Sequence, residues 1–335
     1  MIEVCTVAEV DKAVVDDFLG RHFRPAKAAF LREHGTWWHR GDDHRWVLLE
    51  DGEILGYCAV IPSRIAVGGE PVDASWWVDL VIDPAARGRK LQRHFDDLIR
   101  SRPLTLGFPN ALATAIHRRH GWGVREDLQV RLLVLDAAAF LATRRMPLWR
   151  RLLLRPPLAL GALIFRGRGA ASGAYSVEPL EQRHLADLEA LAARSRAARP
   201  NAVATWHDAA TLGWRYLEAP WGSEHFVVRS PDAAAIVRIV EGSGRVARIL
   251  ESWFGDGVED PRLYAACVWA ARSVGAYQAT MLAPAVARGR AAGRAGLALR
   301  ARSRFCWYTT STSLASSIDQ ATQLWTLGDS DHDEP

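Results

Sequence analysis

The stretch Val78-Asp79-Leu80-Val81-Ile82-Asp83-Pro84-Ala85-Ala86-Arg87-Gly88-Arg89-Lys90-Leu91 carries the clearest chemistry in this 335-residue chain. It reads as a buried strand, a tight turn and a helix that opens on a basic, glycine-containing loop. The first turn of a helix presents unpaired N–H groups and a partial positive charge, so such a junction suits a phosphate. Asp79 sits among the apolar Trp77, Val78, Leu80 and Val81. A carboxylate there is costly unless it is paired or used. A proton-accepting role is one reading, and an ion pair with one of the many arginines is the other; Glu50 and Asp73 are weaker acids for the same task. Downstream, Asn110 stands at a predicted helix N-cap, and His117-Arg118-Arg119-His120-Gly121-Trp122 ends that helix at a glycine. His117 is either a working histidine, its pKa lying near neutrality, or a solvated residue in a basic run. Trp37, Trp38, Trp76 and Trp77 suit core packing first and the wall of an acceptor pocket second.

These residues need a scaffold, and the order of elements supplies one. Residues 2–6 read as a strand, followed by a helix through Phe18. Segments 45–50, 53–61, 64–67 and 75–82 read as an antiparallel run, with Asp51-Gly52 as a hairpin turn. A helix over 88–100 turns Leu91, Phe95, Leu98 and Ile99 inward. Then come a short buried strand at 104–108, a helix over 111–120, and a strand at 131–135 that closes the sheet. Strands alternating with helices predict a mixed α/β fold.

The pattern recurs. Tyr175-Ser176-Val177-Glu178-Pro179 repeats the opening strand, and the helix after it carries Leu185, Leu188 and Leu191 on one face. Trp37-Trp38-His39-Arg40 followed by strands 45–50 and 54–60 is echoed by Trp214-Arg215-Tyr216 followed by strands 225–229 and 235–240. Two echoes in one order predict a tandem repeat: a domain over 1–140, an Arg/Pro-rich linker over 141–173, and a second domain over 174–330. The length suits two cores.

Charge is uneven. The net charge is +4 and the pI about 9.0, a mild bias toward acidic partners. Residues 142–169 carry Arg144, Arg145, Arg150, Arg151, Arg155, Arg166 and Arg168 with no acid, and residues 288–304 carry Arg288, Arg290, Arg294, Arg300, Arg302 and Arg304 with none. Lysine occurs only at Lys12, Lys27 and Lys90, so arginine is the general-purpose cation. The end, Asp329 to Pro335, is acidic. Segment 148–165 is the most apolar, but three arginines and Pro156-Pro157 argue against a membrane span. It reads as a connector partly buried between domains, with an anionic membrane surface as the alternative. Cys5, Cys58, Cys267 and Cys306 are scattered, with no C-x-x-C pair or clustered metal-ligand spacing. They suggest free thiols in a reducing cytoplasm and no metal. The strand-like start carries no signal-peptide pattern, and the arginine and alanine content suits a GC-rich bacterial source.

Across residues 2–136 the order of elements, the 77–92 stretch and the Phe108-Pro109-Asn110…Gly121-Trp122 segment resemble the GNAT acyltransferase superfamily. The ending Trp325-Thr326-Leu327-Gly328-Asp329-Ser330-Asp331 resembles that of bacterial two-domain GNAT-like proteins. The resemblance implies tandem GNAT-like domains, each a mixed, mostly antiparallel sheet flanked by helices. It implies an acyl-CoA co-substrate, such as acetyl-CoA, whose pantetheine pairs with the backbone of Leu80, Val81 and Ile82 on a splayed strand. It places the pyrophosphate at Arg87, Gly88, Arg89 and Lys90 and gives Asn110 a pantetheine contact. His117 takes the place of the tyrosine that protonates the leaving thiolate in many members, and Asp79 becomes the base, acting through water. Lys90 and Gln92 stand where the family's loop, Arg/Gln-x-x-Gly-x-Gly/Ala, has its glycines. Lys90 could compensate as a phosphate-pairing cation.

The second half keeps the rhythm, but no such loop follows strand 245–251, so it reads as a degenerate copy. The leading function implied is transfer of an acyl group from CoA to a small-molecule amine. The alternative is an aminoacyl-tRNA-dependent amide-forming transferase, with Arg144–Arg168 and Arg288–Arg304 along the RNA backbone. A third is a non-catalytic binding module.

Overall fold

A computed structural model describes residues 1–165, 174–220, 224–242, 244–284 and 287–329. The chain divides into two compact units, Met1–Arg125 with Arg304–Gln320, and Glu126–Ser303 with Ala321–Pro335. Arg166, Arg168 and the acidic end beyond Asp329 lie outside the described residues.

The first unit begins with β1 (Ile2–Thr6), α1 (Lys12–His22) and α2 (Pro25–Trp38). Asp11 caps α1 by accepting from the Ala13 N–H, and Pro25 opens α2 where its missing N–H costs nothing. β2 (Arg45–Glu50), β3 (Glu53–Val67) and β4 (Glu70–Ile82) follow as an antiparallel run. Asp51 and Gly52 hold φ of 52° and 86°, the positive values that the predicted hairpin turn requires. The expected strands 53–61 and 64–67 are one strand. The hairpin turns instead at Gly68 and Gly69, whose positive φ values a side chain would resist. After α3 (Asp96–Arg100), β5 (Thr105–Gly107) runs parallel to β4, and α4 (Ala111–Arg119) follows.

The expected helix over 88–100 does not form as such. Helical structure starts at Leu91 as a 3₁₀ turn through Phe95 and becomes α only over Asp96–Arg100. Leu91, Phe95 and Ile99 still turn inward, joining Trp46, Leu48, Val60, Trp77 and Trp122 in one core. The apolar spacing is met, but the left-handed backbone of Lys90 holds off the regular helix.

The second unit contains β6 (Gly123–Val134, from Glu126 onward), α5 (Ala137–Ala142), α6 (Leu148–Ile164), β7 (Ser176–Pro179), α7 (Leu185–Ala197), β8 (Ala202–Thr205) and α8 (Ala209–Leu212). It continues through β9 (Glu224–Arg229), β10 (Ala233–Val240), β11 (Val246–Phe254), α9 (Pro261–Ser273), β12 (Gln278–Pro284), α10 (Ala287–Arg294) and the start of β13 (Ala298–Tyr308). α11 (Thr312–Gln320) belongs to the first unit, and β14 (Thr322–Gln323) pairs with β8 in the second. α9 buries most of its length against β10–β12, forming an apolar core of the second unit. The segment read as a connector contains α6, a 17-residue helix in which no residue is fully buried.

Each unit runs four strands antiparallel, then one parallel: β1-β2-β3-β4-β5 in the first and β7-β9-β10-β11-β12 in the second. An antiparallel strand closes each run, and here the sequence reading is corrected. Residues 131–135 do not close the first sheet. Leu128–Val134 pair with β12, while Cys306–Tyr308 of β13 pair with β5. Strand periodicity shows that both segments are strands but carries no information on which sheet takes them.

Candidate active site

The site is built on β4. Its pairing to β5 ends at Trp76↔Leu106, while its pairing to β3 continues through Val81↔Tyr57 and Ile82↔Gly56. Among the described residues, the β4 backbone from Trp77 to Ile82 therefore has no ladder partner on its β5 side. Leu80, Val81 and Ile82 are partly exposed on this segment. Unpaired backbone at a sheet opening can pair with an extended ligand.

A bulge lies in the same segment. Ala59 faces Val78 and Tyr57 faces Val81, so Asp79 and Leu80 together oppose Cys58. Asp79 takes φ of 58°, rare for a residue with a side chain. The bulge resets the alternation of faces: Leu80 and Ile82, rather than Asp79 and Val81, continue the core face of Trp77. Asp79 is thereby kept out of that apolar cluster. Its carboxylate is 3% exposed, 2.6 Å from the Lys27 ammonium and 3.0 Å from His39 Nε2. The expected partner was an arginine; the actual partners are the cation of α2 and the histidine that caps it. Burial alone would raise the Asp79 pKa, but Lys27 and His39 outweigh it and pull it down to about 2. His39 Nδ1 lies 2.7 Å from the Gly35 carbonyl. Both neighbours of the ring are acceptors, so making both bonds at once takes a doubly protonated imidazole. Burial, the largest influence, pushes the His39 pKa below the ordinary histidine value, against Asp79.

The loop after β4 has the backbone its sequence foreshadowed but different side-chain commitments. Asp83 caps a 3₁₀ turn, accepting from the Ala85 N–H at 2.7 Å. Gly88 has φ of 88° and Lys90 φ of 57°. A lysine thus holds a glycine-type conformation at the position where the resemblance leads one to expect glycine. Arg89 is engaged: its two terminal nitrogens meet the Glu50 carboxylate at 2.6 and 2.8 Å. Among the described residues no acid pairs with Arg87 or Lys90, and both are exposed.

Asn110 caps α4 as predicted, its Oδ1 accepting from the Ala113 N–H at 2.9 Å. His117 is not solvated. It is buried against Trp122, ring centroids 4.3 Å apart, and its Nδ1 has no hydrogen-bond partner among the described residues. Burial, then the neighbouring His120, push its pKa down to about 4. Trp122 also lines a cleft of about 490 Å³ with Gly123, Trp307, Thr309, Ser316 and Asp319. Trp38, Trp76 and Trp77 are buried, in keeping with core packing.

The second unit holds a cluster that the sequence reading passed over. Ile236 faces Glu251 and Val237 faces Ile249, so Leu250 is extra and β11 bulges next to an acid, as β4 does. Glu251 accepts from Tyr216 at 2.7 Å and Thr326 at 3.0 Å and lies 3.1 Å from His207 Nε2. Asp329 joins through Thr205 and the Thr326 N–H, and the ligand atoms of His207, Glu251 and Asp329 all lie within 4.8 Å of one another. A Cβ at Gly328 would collide with Glu251 and the Tyr216 hydroxyl, so the close approach needs glycine. Burial and Glu251 push the Asp329 pKa up to about 6; Glu251 outweighs burial at His207 and raises its pKa. Asp329, by sequence the first acid of an acidic end, is a buried member of this cluster. The signal available was its place beside Trp325-Thr326-Leu327-Gly328.

The second arginine run is not wholly available to an RNA backbone. Arg288 is buried beside Glu259 at 3.4 Å and donates to the carbonyls of Leu324 and Ser252.

No protein-family model and no curated protein sequence matches the chain. Solved structures do. A GCN5-related N-acetyltransferase from Anabaena variabilis superposes with a TM-score of 0.59 at 12% identity, over 94% of this chain and 74% of that one. A GCN5-related N-acetyltransferase from Kribbella flavida gives 0.57 at 14% identity, over 92% and 72%. Saccharomyces cerevisiae N-myristoyltransferase with bound myristoyl-CoA gives 0.57 at 11% identity, over 92% and 82%. The protein therefore has a GNAT-like fold: mixed α/β, with mostly antiparallel strands flanked by helices.

Proposed function

We propose that the protein is an N-acyltransferase that moves an acyl group from acyl-CoA to an amine, its two units being tandem copies of which the first binds the donor. The observation that carries this reading is the opening of β4 from β5 after Trp76, followed directly by the basic loop. In the reaction the amine nitrogen attacks the thioester carbonyl. The C–N bond forms, the C–S bond breaks, and one proton passes from the amine to the departing thiolate. Backbone groups of Leu80, Val81 and Ile82 would hold pantetheine, with Asn110 beside it. Gly88 would leave room for the pyrophosphate, with Arg87 and Lys90 supplying charge and Arg89 bracing the loop through Glu50.

Asp79, anionic across the neutral range but buried and neutralised by Lys27, would reach the acceptor's proton only through water. The low pKa makes it a weak base, so positioning and thioester polarisation by a backbone N–H carry more of the barrier. His117, neutral at pH 7, would donate a ring N–H toward the thiolate rather than act as an imidazolium acid. The test is calorimetric titration with acetyl-CoA, repeated with Arg87→Ala and Lys90→Ala. Micromolar binding weakened by both substitutions supports the reading, and no heat at millimolar CoA ends it. The aminoacyl-tRNA alternative predicts activity lost on ribonuclease treatment, and the binding-module alternative predicts no turnover with any acyl-CoA.

A further inference from the structure

α6 presents an apolar face to solvent. Trp149, Leu152, Leu153, Leu160, Leu163 and Ile164 are each between 52% and 66% exposed. At about 100° per residue, an arc of about 180° from Leu148 round to Pro157 contains no polar side chain. Arg155 and Arg150 stand at its two edges. The opposite side packs on its own unit: Arg272 donates to the Ala162 carbonyl at 2.6 Å, and Arg151 reaches back to the Arg144 carbonyl. Within residues 143–165 there are five arginines and no acid.

We propose that α6 is an interfacial helix that seats this face in the headgroup region of an anionic lipid bilayer. An isolated helix of this length is marginal in water, and so large an apolar face calls for cover. Arginine flanks with leucine and tryptophan between them match a surface whose charge is negative and whose interior is apolar. A second copy of the chain is a poorer cover, because the same patch meeting itself sets arginines against arginines with no acid on the helix. Crossing the bilayer is excluded by construction. The helix is about 25 Å long, and no described helix is long and apolar enough to span. Pro156 and Pro157 also leave the carbonyls of Leu152 and Leu153 without helix donors, tolerable among headgroups and their water but not in hydrocarbon.

The experiment is flotation of the purified full-length protein with vesicles of phosphatidylcholine, with and without phosphatidylglycerol. Leu152→Ser/Leu160→Ser and Arg150→Ala/Arg155→Ala are compared by the same assay, with circular dichroism and sedimentation velocity on each. The protein floats with the phosphatidylglycerol vesicles, the serine pair abolishes flotation, and each arginine removed weakens it about fivefold. All three proteins keep the same thermal midpoint, since the altered side chains are exposed. Absence of flotation, or flotation equal on both vesicle types, overturns the proposal. So does a dimer that the serine pair turns into monomers without any vesicle binding.

Discussion

The Asp79 carboxylate and the His39 imidazole meet at 3.0 Å across 40 residues of sequence, one from a bulged strand and the other from the end of a helix. Lys27 completes the group at 2.6 Å. One carboxylate thus ties α2 to the strand that opens the candidate site. Its positive φ is the local strain that this tie must hold.

Asp79→Asn removes the charge and leaves the Lys27 ammonium, 17% exposed, without its anion. Breaking a buried pair from one side costs about 3–5 kcal/mol. Urea unfolding is expected to show a loss of that size. Asp79→Leu with Lys27→Met should recover part of it, because replacing both charges removes the uncompensated one. Equal stability of Asp79→Asn and the parent would show that the pair does not hold the strand.

Two acid-sensitive windows follow from the shifts. His117 is held neutral in the fold, its pKa lowered from 6.5 to about 4. A depressed folded pKa means stability present above the unfolded value and lost as pH falls through the folded one, here between about 6.5 and 4. Asp79, lowered from 3.8 to about 2, gives a second window below that. Replacing His117 with leucine is expected to flatten the upper limb, worth up to about 3 kcal/mol, and leave the lower one. An unchanged upper limb in chemical denaturation across pH would refute the assignment.

Asp329 behaves with the opposite sign. Its folded pKa is raised from 3.8 to about 6, so its contribution is fully present below 3.8 and lost as pH rises through 6. Asp329→Asn keeps an acceptor for the Thr326 N–H and offers an N–H to Thr205. Relative to the parent, the variant should gain stability between about pH 4 and 6, with no further gain at higher pH, read from melting midpoints. A constant difference across that range would mean that Asp329 does not titrate there.

The fold was legible because local rules and the global answer agree. Asp51-Gly52 turns the first hairpin, Asn110 caps α4, and Leu185, Leu188 and Leu191 face a core as their spacing requires. What was not legible depends on contacts remote in sequence. Nothing near Asp79 points to Lys27, 52 positions earlier, and a one-residue bulge leaves no mark in the period of the strand. The exchange of closing strands between Leu128–Val134 and Cys306–Tyr308 follows from pairing, not propensity. Nothing local marks Glu251, because its partners come from three separate segments: His207, Tyr216, and Thr326 with Asp329. The arginines and prolines of α6 argue against a span and leave both a connector and a helix lying on an anionic surface open in the sequence; the exposed apolar face is visible only in the fold.

Lys90 separates charge from backbone at the candidate phosphate loop. Its φ of 57° costs a residue with a side chain about 1–2 kcal/mol, and Gly at this position would escape that cost while gaining freedom in the unfolded chain. Lys90→Gly and Lys90→Ala are therefore expected to fold with nearly the parent's stability. Their affinities for CoA discriminate more sharply. The backbone already holds the glycine-type conformation and no described acid competes for the ammonium, so the parent should bind CoA about fivefold to tenfold more tightly than either variant, the value of one ion pair to phosphate. Tightest binding by Lys90→Gly would instead mean that the lysine side chain obstructs the loop and that charge at this position contributes nothing.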